Sequence, residues 1–215
     1  MTTSTGLAHR PARRRLAYLA RRALQMEIAV WRSLYRFVFR RPRVPRGATA
    51  FSYHEPVSQV LIVFIVLSAI EIPVIDLVVH RWAYIRIPIL IAGIWGLTWM
   101  VGLLLGFVTR PHAVGPQGIR VRHGAEVEIA LSWGDIRSIS MKKKVAEPRT
   151  PQVTTDDEGA TLHLRMQHET NLEIELDHPV DVRLPQGPTT VGRLRIYADQ
   201  PRQLLAEARV HLENV

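Results

Sequence analysis

Apolar and polar positions alternate in three different ways along this chain. From Val57 to Val79, and again over 84–108, almost every residue is apolar. Each run exceeds the ~20 residues with which a helix crosses ~30 Å of hydrocarbon. Only His80, Arg81, Trp82 and Ala83 separate them, so the two helices are antiparallel. Residues 57–109 therefore read as a transmembrane hairpin with spans 57–79 and 84–108. Upstream, 13–41 contains neither Pro nor Gly. On a helical projection Leu16, Leu19, Leu24, Val30, Trp31, Leu34, Tyr35 and Val38 fill one broad sector. Arg14, Arg21, Arg22, Arg32, Arg36 and Arg40 fill the other. This predicts a basic amphipathic helix over 13–41, following a disordered tail at 1–12 and followed by a Pro-broken linker at 42–56.

Downstream of 110 the period changes to two. Seven short strands are expected, at 119–122, 126–133, 136–141, 161–166, 171–176, 180–184 and 192–198, with turn residues between them. Lys142 to Gly159 is polar, contains Pro148 and Pro151, and reads as a loop. Asp199-Gln200-Pro201 starts a closing helix whose stripe is Leu204, Leu205, Ala208 and Leu212. The expected fold class is an α+β membrane protein: an N-terminal amphipathic helix, a two-helix transmembrane hairpin, then a seven-stranded β-barrel at 110–215 capped by a C-terminal helix.

Charge assigns sides to this picture. The net charge is +9, and residues 1–56 alone carry twelve arginines against Glu27 and Glu55. The basic excess therefore belongs to the arm. Its wide apolar sector favours the interface of a bilayer with anionic lipids over nucleic acid. Packing on the C-terminal domain or on another copy is the alternative, and Glu27, in the apolar sector, is expected to pair with an arginine of a neighbouring helix. Arg40 to Arg46 and Arg110 flank the outer ends of the hairpin, which by the positive-inside bias places both termini in the cytoplasm and the chain in the inner (plasma) membrane. Lys142, Lys143 and Lys144 are candidate contacts with anionic headgroups.

Within the hairpin, Glu71, Pro73 and Asp76 are the functional candidates. Glu71 lies eight residues, about 12 Å, from the outer end of the first span. A carboxyl so deep in hydrocarbon is costly and marks a site by default. Pro73 removes a backbone donor and crowds the carbonyl of Ala69. The structural alternative hydrogen-bonds Glu71 to Thr98 or a Trp indole and sends Asp76 outward to Arg81 or Arg86. Gly102 and Gly106 form a small-xxx-small pair, and Gly93 and Gly96 add close-approach points for a helix seam or a dimer.

Enzymatic signatures are missing. The sequence holds no HExxH, P-loop, G-x-S-x-G or G-x-G-x-x-G pattern, and no cysteine. His163 faces away from Leu162 and is expected on the surface. The reading is therefore not an enzyme, with no metal, no cofactor and no identifiable small-molecule substrate.

The stretch Gly118 to Ile139, with its Trp133-Gly134-Asp135-Ile136 step, resembles the opening of the pleckstrin-homology-like (PH-like) domains of bacterial membrane proteins. The element Glu71, Pro73 and Asp76 resembles the E-x-P-x-x-(H/D) signature of uncharacterised bacterial membrane proteins that join such a hairpin to a similar β domain. The resemblance covers about residues 55–210 and implies a PH-like fold rather than a ligand. The expected function is a non-enzymatic scaffold or assembly module anchored at the inner face of the bacterial membrane, acting as a homo-oligomer or with other membrane proteins. The alternative is a small proton- or ion-coupled channel or transporter subunit built on Glu71.

Overall fold

The computed structural model describes residues 44–124, 127–146, 150–157, 159–185 and 187–213, together with Leu24, Glu27, Ile28, Trp31, Leu34 and Tyr35. The disordered tail expected at 1–12 and Arg14, Arg21, Arg22, Arg32, Arg36 and Arg40 lie outside the described residues.

The two apolar runs form helices α1 (Glu55–Val79) and α2 (Ala83–Val108), packed against each other as an antiparallel pair. Both are long and apolar enough to cross a membrane, with mean hydropathy 2.6 and 2.0 over their best windows. A core helix of a water-soluble protein would be covered by its neighbours. Here α1 buries none of its residues and α2 only Gly102 and Leu105. Side chains such as Val63, Leu67, Ile70, Leu77 and Ile91 face outward, a patch far larger than water-soluble surfaces carry. The helices are candidate membrane spans.

The hairpin is inserted into a sheet. Residues 42–56 are more than a linker, because Thr49–Phe51 is strand β1. It pairs antiparallel with β2 (His112–Gly115) on the far side of the hairpin, Phe51 opposite His112 and Thr49 opposite Val114. β3 (Gly118–His123) and β4 (Val127–Leu131) complete a four-stranded sheet in the order β1-β2-β3-β4. Gly118 is required at the β2–β3 turn: its φ is 136°, and a Cβ there would lie 1.9 Å from the Leu131 carbonyl oxygen.

A 3-10 turn at Trp133–Asp135 then carries the chain to a second sheet. Its strands are β5 (Ile136–Val145), β6 (Gln152–Asp156), β7 (Gly159–Leu164), β8 (Glu169–Leu184) and β9 (Gly187–Ile196), in the order β5-β8-β9-β7-β6. The sheets share one core of alternating residues, including Ile119, Val121, Ile129, Leu162, Leu172, Ile174 and Leu194. Helix α3 (Pro201–Leu212) closes it with Leu204, Leu205 and Ala208 buried and Leu212 partly buried. Each fully buried Leu or Ile contributes roughly 1.5–3 kcal/mol.

The structure corrects the sequence-based reading of the β domain, which also lacked β1 and β2. No barrel closes among the described residues; there are two sheets, and β7 runs parallel to β9. Expected strands 171–176 and 180–184 are one strand, β8, bent at a register shift between Glu175 and Val180. Pro179 falls in that shift, where no ladder bond is demanded of it. The polar stretch from Lys142 to Gly159 is not one loop, since β5 runs to Val145 and β6 begins at Gln152. His163 is 1% exposed rather than on the surface. It does point away from the core leucines, but into a polar row that runs Gln152, His163, Arg195, Glu173, Ser140 across all five strands, in which His163, Arg195 and Glu173 are buried and Ser140 is exposed.

Candidate functional site

Three features surround the hairpin: a polar clamp at its base, a cleft within it, and a lysine-bearing sheet edge beside it.

The clamp forms because β1 and β2 hand the chain to and from the helices with no slack. Tyr53, 1% exposed, stacks on His112 at 4.6 Å between ring centroids and meets Phe107 of α2 edge-on at 6.2 Å. Its hydroxyl accepts the backbone N–H of Gly124 at 3.0 Å. Burial pushes its pKa up to about 12. His112 bridges the two ends of the β domain. Its Nε2 donates to the Tyr197 carbonyl at 2.9 Å and its Nδ1 accepts the Arg122 N–H at 3.1 Å, which fixes a neutral tautomer. Burial, with smaller contributions from His123 and Arg122, pulls its pKa down to about 4. The first turn of α1 has orphan N–H groups, and His54 offers no side-chain cap. Asp199 supplies it, accepting from the N–H of Glu55 at 3.1 Å and of His54 at 3.2 Å, while its own N–H donates to Ser52 at 2.9 Å. Gln167 adds a bond to the Pro56 carbonyl at 3.2 Å.

The cleft opens between α1 and α2 with a volume of about 340 Å³, and Ser68, Glu71, Ile72, Ile75, Gly93, Gly96 and Met100 are among its walls. The glycines divide the work. At Gly93 a Cβ would lie 3.1 Å from Ile72, so this glycine is where the helices touch. At Gly96 a Cβ would meet nothing within 4 Å, so this one leaves space. Gly102 is buried and Gly106 half-buried in the lower part of α2. Among the described residues Glu71 has no hydrogen-bond or ion-pair partner. Two of the partners the sequence suggested for it are engaged elsewhere: the Thr98 hydroxyl donates to the Ile94 carbonyl at 2.8 Å, and the Trp95 indole to Glu27. Asp76 takes the second of its two expected partners, Arg86, in a bidentate pair at 2.5 and 2.9 Å that ties the two helices together near the link. Pro73 lies inside α1, which continues through it.

Glu27 was expected to meet an arginine. Instead its Oε1 accepts the Trp31 indole at 3.0 Å and the Trp95 indole at 3.3 Å. Trp95 is twelve residues, about 18 Å, into α2, so this turn of the arm lies against the middle of the hairpin.

The sheet edge is reached through Gln167. The turn that bonds Pro56 is paired with the end of β5, Val145 opposite Glu169 and Lys144 opposite Thr170. Lys142 and Lys143 stand on this strand as well, bound to Glu173 at 3.0 Å and Glu169 at 2.9 Å. The lysines thus sit at the hairpin end of the β domain beside Val145, which is 63% exposed. On the same sheet His163 Nε2 meets the Thr154 hydroxyl at 2.8 Å, and burial followed by the charge of Arg165 lowers its pKa to about 4.

No family model, curated protein or solved structure matches this chain. Among the described residues no group of three His, Cys, Asp or Glu could hold a metal ion.

The unpartnered state of Glu71 and the cap from Asp199 were beyond sequence reasoning. A lone acid in a greasy run announces itself, but who satisfies it is a tertiary matter. Asp199 was spent, in the sequence reading, on the helix that follows it.

Proposed function

We propose that this chain is a non-enzymatic, membrane-anchored assembly module, with its β domain held against the inner face of a bacterial cell membrane and both termini on the cytoplasmic side. The observation that carries this reading is the β1–β2 pairing across the hairpin. A strand on each side of the spans belongs to the same sheet, so the spans and the β domain turn as one body. An anchor on a loose tether would need none of this. The exposed Val145 and the adjacent Lys144 at the hairpin end of the domain support seating on an anionic surface, where a lysine not already paired with a carboxylate contributes about 1 kcal/mol. The PH-like character of the domain is part of the proposal. It draws support from the β3–β4 hairpin that passes through the Trp133–Asp135 turn into β5, and from the closing helix α3.

A second reading, an ion- or proton-coupled subunit, draws on one observation: among the described residues Glu71 stands without a partner, in a cleft of the apolar hairpin. A single experiment separates the two. Proteoliposomes of the full chain are assayed for proton and cation flux, and an environment-sensitive dye on Val145→Cys reports seating of the β domain. The assembly reading expects no flux and a dye shift that requires anionic lipid. A flux abolished by Glu71→Gln replaces it with the transport reading.

A further inference from the structure

Ser68 and Glu71 stand one turn apart on the same side of α1 and line the same cleft. Among the described residues neither side chain has a hydrogen-bond partner. In water that would be unremarked. At roughly 12–16 Å from the helix end, in hydrocarbon, it leaves one acceptor and one donor unsatisfied, which is costly. Gly96 lines the same cleft, and a Cβ there would meet nothing within 4 Å among the described residues.

We propose that a second copy of this chain docks in this cleft, the Ser68 hydroxyl of each copy donating to the Glu71 carboxyl of the other. The inference rests on the assembly reading above and names its partner. A twofold interface must be complementary to itself. A donor and an acceptor carried one turn apart on one helix face meet that requirement, because parallel copies bring the same residues to the same depth. Three residues along a helix is about 4.5 Å, within the reach of a glutamate side chain. Thr98, Trp95 and Asp76 are already committed, to Ile94, Glu27 and Arg86. Gly96 allows the second α1 to approach closely, as small residues do at helix interfaces in membranes.

The chain has no cysteine, so single cysteines report cleanly. In liposomes of the full chain, Ile75→Cys, in the cleft, is expected to cross-link between copies on oxidation. Leu77→Cys, on the opposite side of α1, is expected not to. Fluorophore counting at high lipid dilution is expected to find two chains per particle, and Gly96→Leu and Glu71→Leu each to raise the dissociation constant at least about tenfold. A Cβ at Gly96 meets no atom within 4 Å among the described residues, and an unchanged melting temperature verifies that Gly96→Leu folds. A dimer that survives both substitutions, or that cross-links through Leu77→Cys instead, overturns the proposal. A monomeric wild type overturns it too. If Gly96→Leu then releases a different membrane protein that the wild type retains, the assembly reading stands without a second copy; if nothing is released, both fall.

Discussion

The carboxylate of Asp199 caps the first turn of α1 from 144 positions away, accepting the N–H of Glu55 at 3.1 Å. It stands where β9 gives way to α3, so the last strand of the β domain ends on the first turn of the hairpin. The negative end of this contact faces the positive end of a long helix dipole.

Removing that cap should be measurable. Asp199→Ala is expected to destabilise the protein by about 1 kcal/mol, the usual cost of a lost N-cap. Asp199→Asn retains the acceptor oxygen and is expected to lose less. Denaturant titration of the full chain in detergent checks the order of the two.

The buried histidines make stability depend on pH in a definite direction. His112 has a pKa of about 4 in the fold against 6.5 for an ordinary histidine. Between those values the unfolded chain binds the extra proton and the folded one does not, so stability is complete above pH 6.5 and drains away as pH falls toward 4. His163 and His123, also near 4, act in the same sense. For His112 the loss reaches roughly 3 kcal/mol. Melting temperatures recorded from neutral pH down to pH 4 should fall steadily; a flat profile would contradict the buried neutral tautomer.

Glycines three residues apart in α2 should respond oppositely to the same replacement. Gly93→Leu drives a side chain into Ile72, 3.1 Å from the first added carbon. Overpacking of this kind costs about 1–3 kcal/mol. At Gly96 the first added carbon meets nothing within 4 Å among the described residues, and Gly96→Leu should leave the folded monomer near wild type. Comparing the two in a detergent unfolding assay tests the position of the helix seam.

Glu27 of the arm accepts the Trp95 indole of the hairpin at 3.3 Å. Trp95→Phe keeps the ring's bulk and removes the donor. It is expected to weaken docking by about 1 kcal/mol, and so to speed tryptic cleavage of the arginine-rich arm several-fold in reconstituted protein. An unchanged cleavage rate would mean that other contacts hold the arm.

The sidedness of the hairpin is open to a labelling test. Tyr84, 95% exposed at the link, and Val145, beside the base, lie at opposite ends of the spans. Tyr84→Cys and Val145→Cys should react with an impermeant maleimide from opposite faces of sealed vesicles.

How much of this was legible follows from the range of each interaction. Val57–Val79 and 84–108 announce themselves, because a long apolar helix is a local property of some twenty successive residues. The closing helix was equally plain, its stripe of Leu204, Leu205 and Ala208 obeying a 3.6-residue period. So was the period-two alternation of β3, β4 and β7. β6 escaped because an edge strand such as Gln152–Asp156 turns only Val153 toward the core. β8 was split because Asp177-His178-Pro179 has the composition of a turn, though it lies in a bulge.

By itself the sequence determined that a hydrophobic hairpin divides a basic arm from a β-rich domain, since hydropathy and periodicity are sums over neighbours. Only the tertiary structure decided that the hairpin is spliced into the domain's first sheet, that two sheets stand in place of a closed barrel, and that Glu71 is left facing an empty cleft. Each depends on which distant residue arrives opposite: His112 for Phe51, Asp199 for Glu55, Glu27 for Trp95. Three residues of β1 carry too little pattern to show such a pairing, and a carboxylate's partner is set by packing, not by its neighbours in the chain.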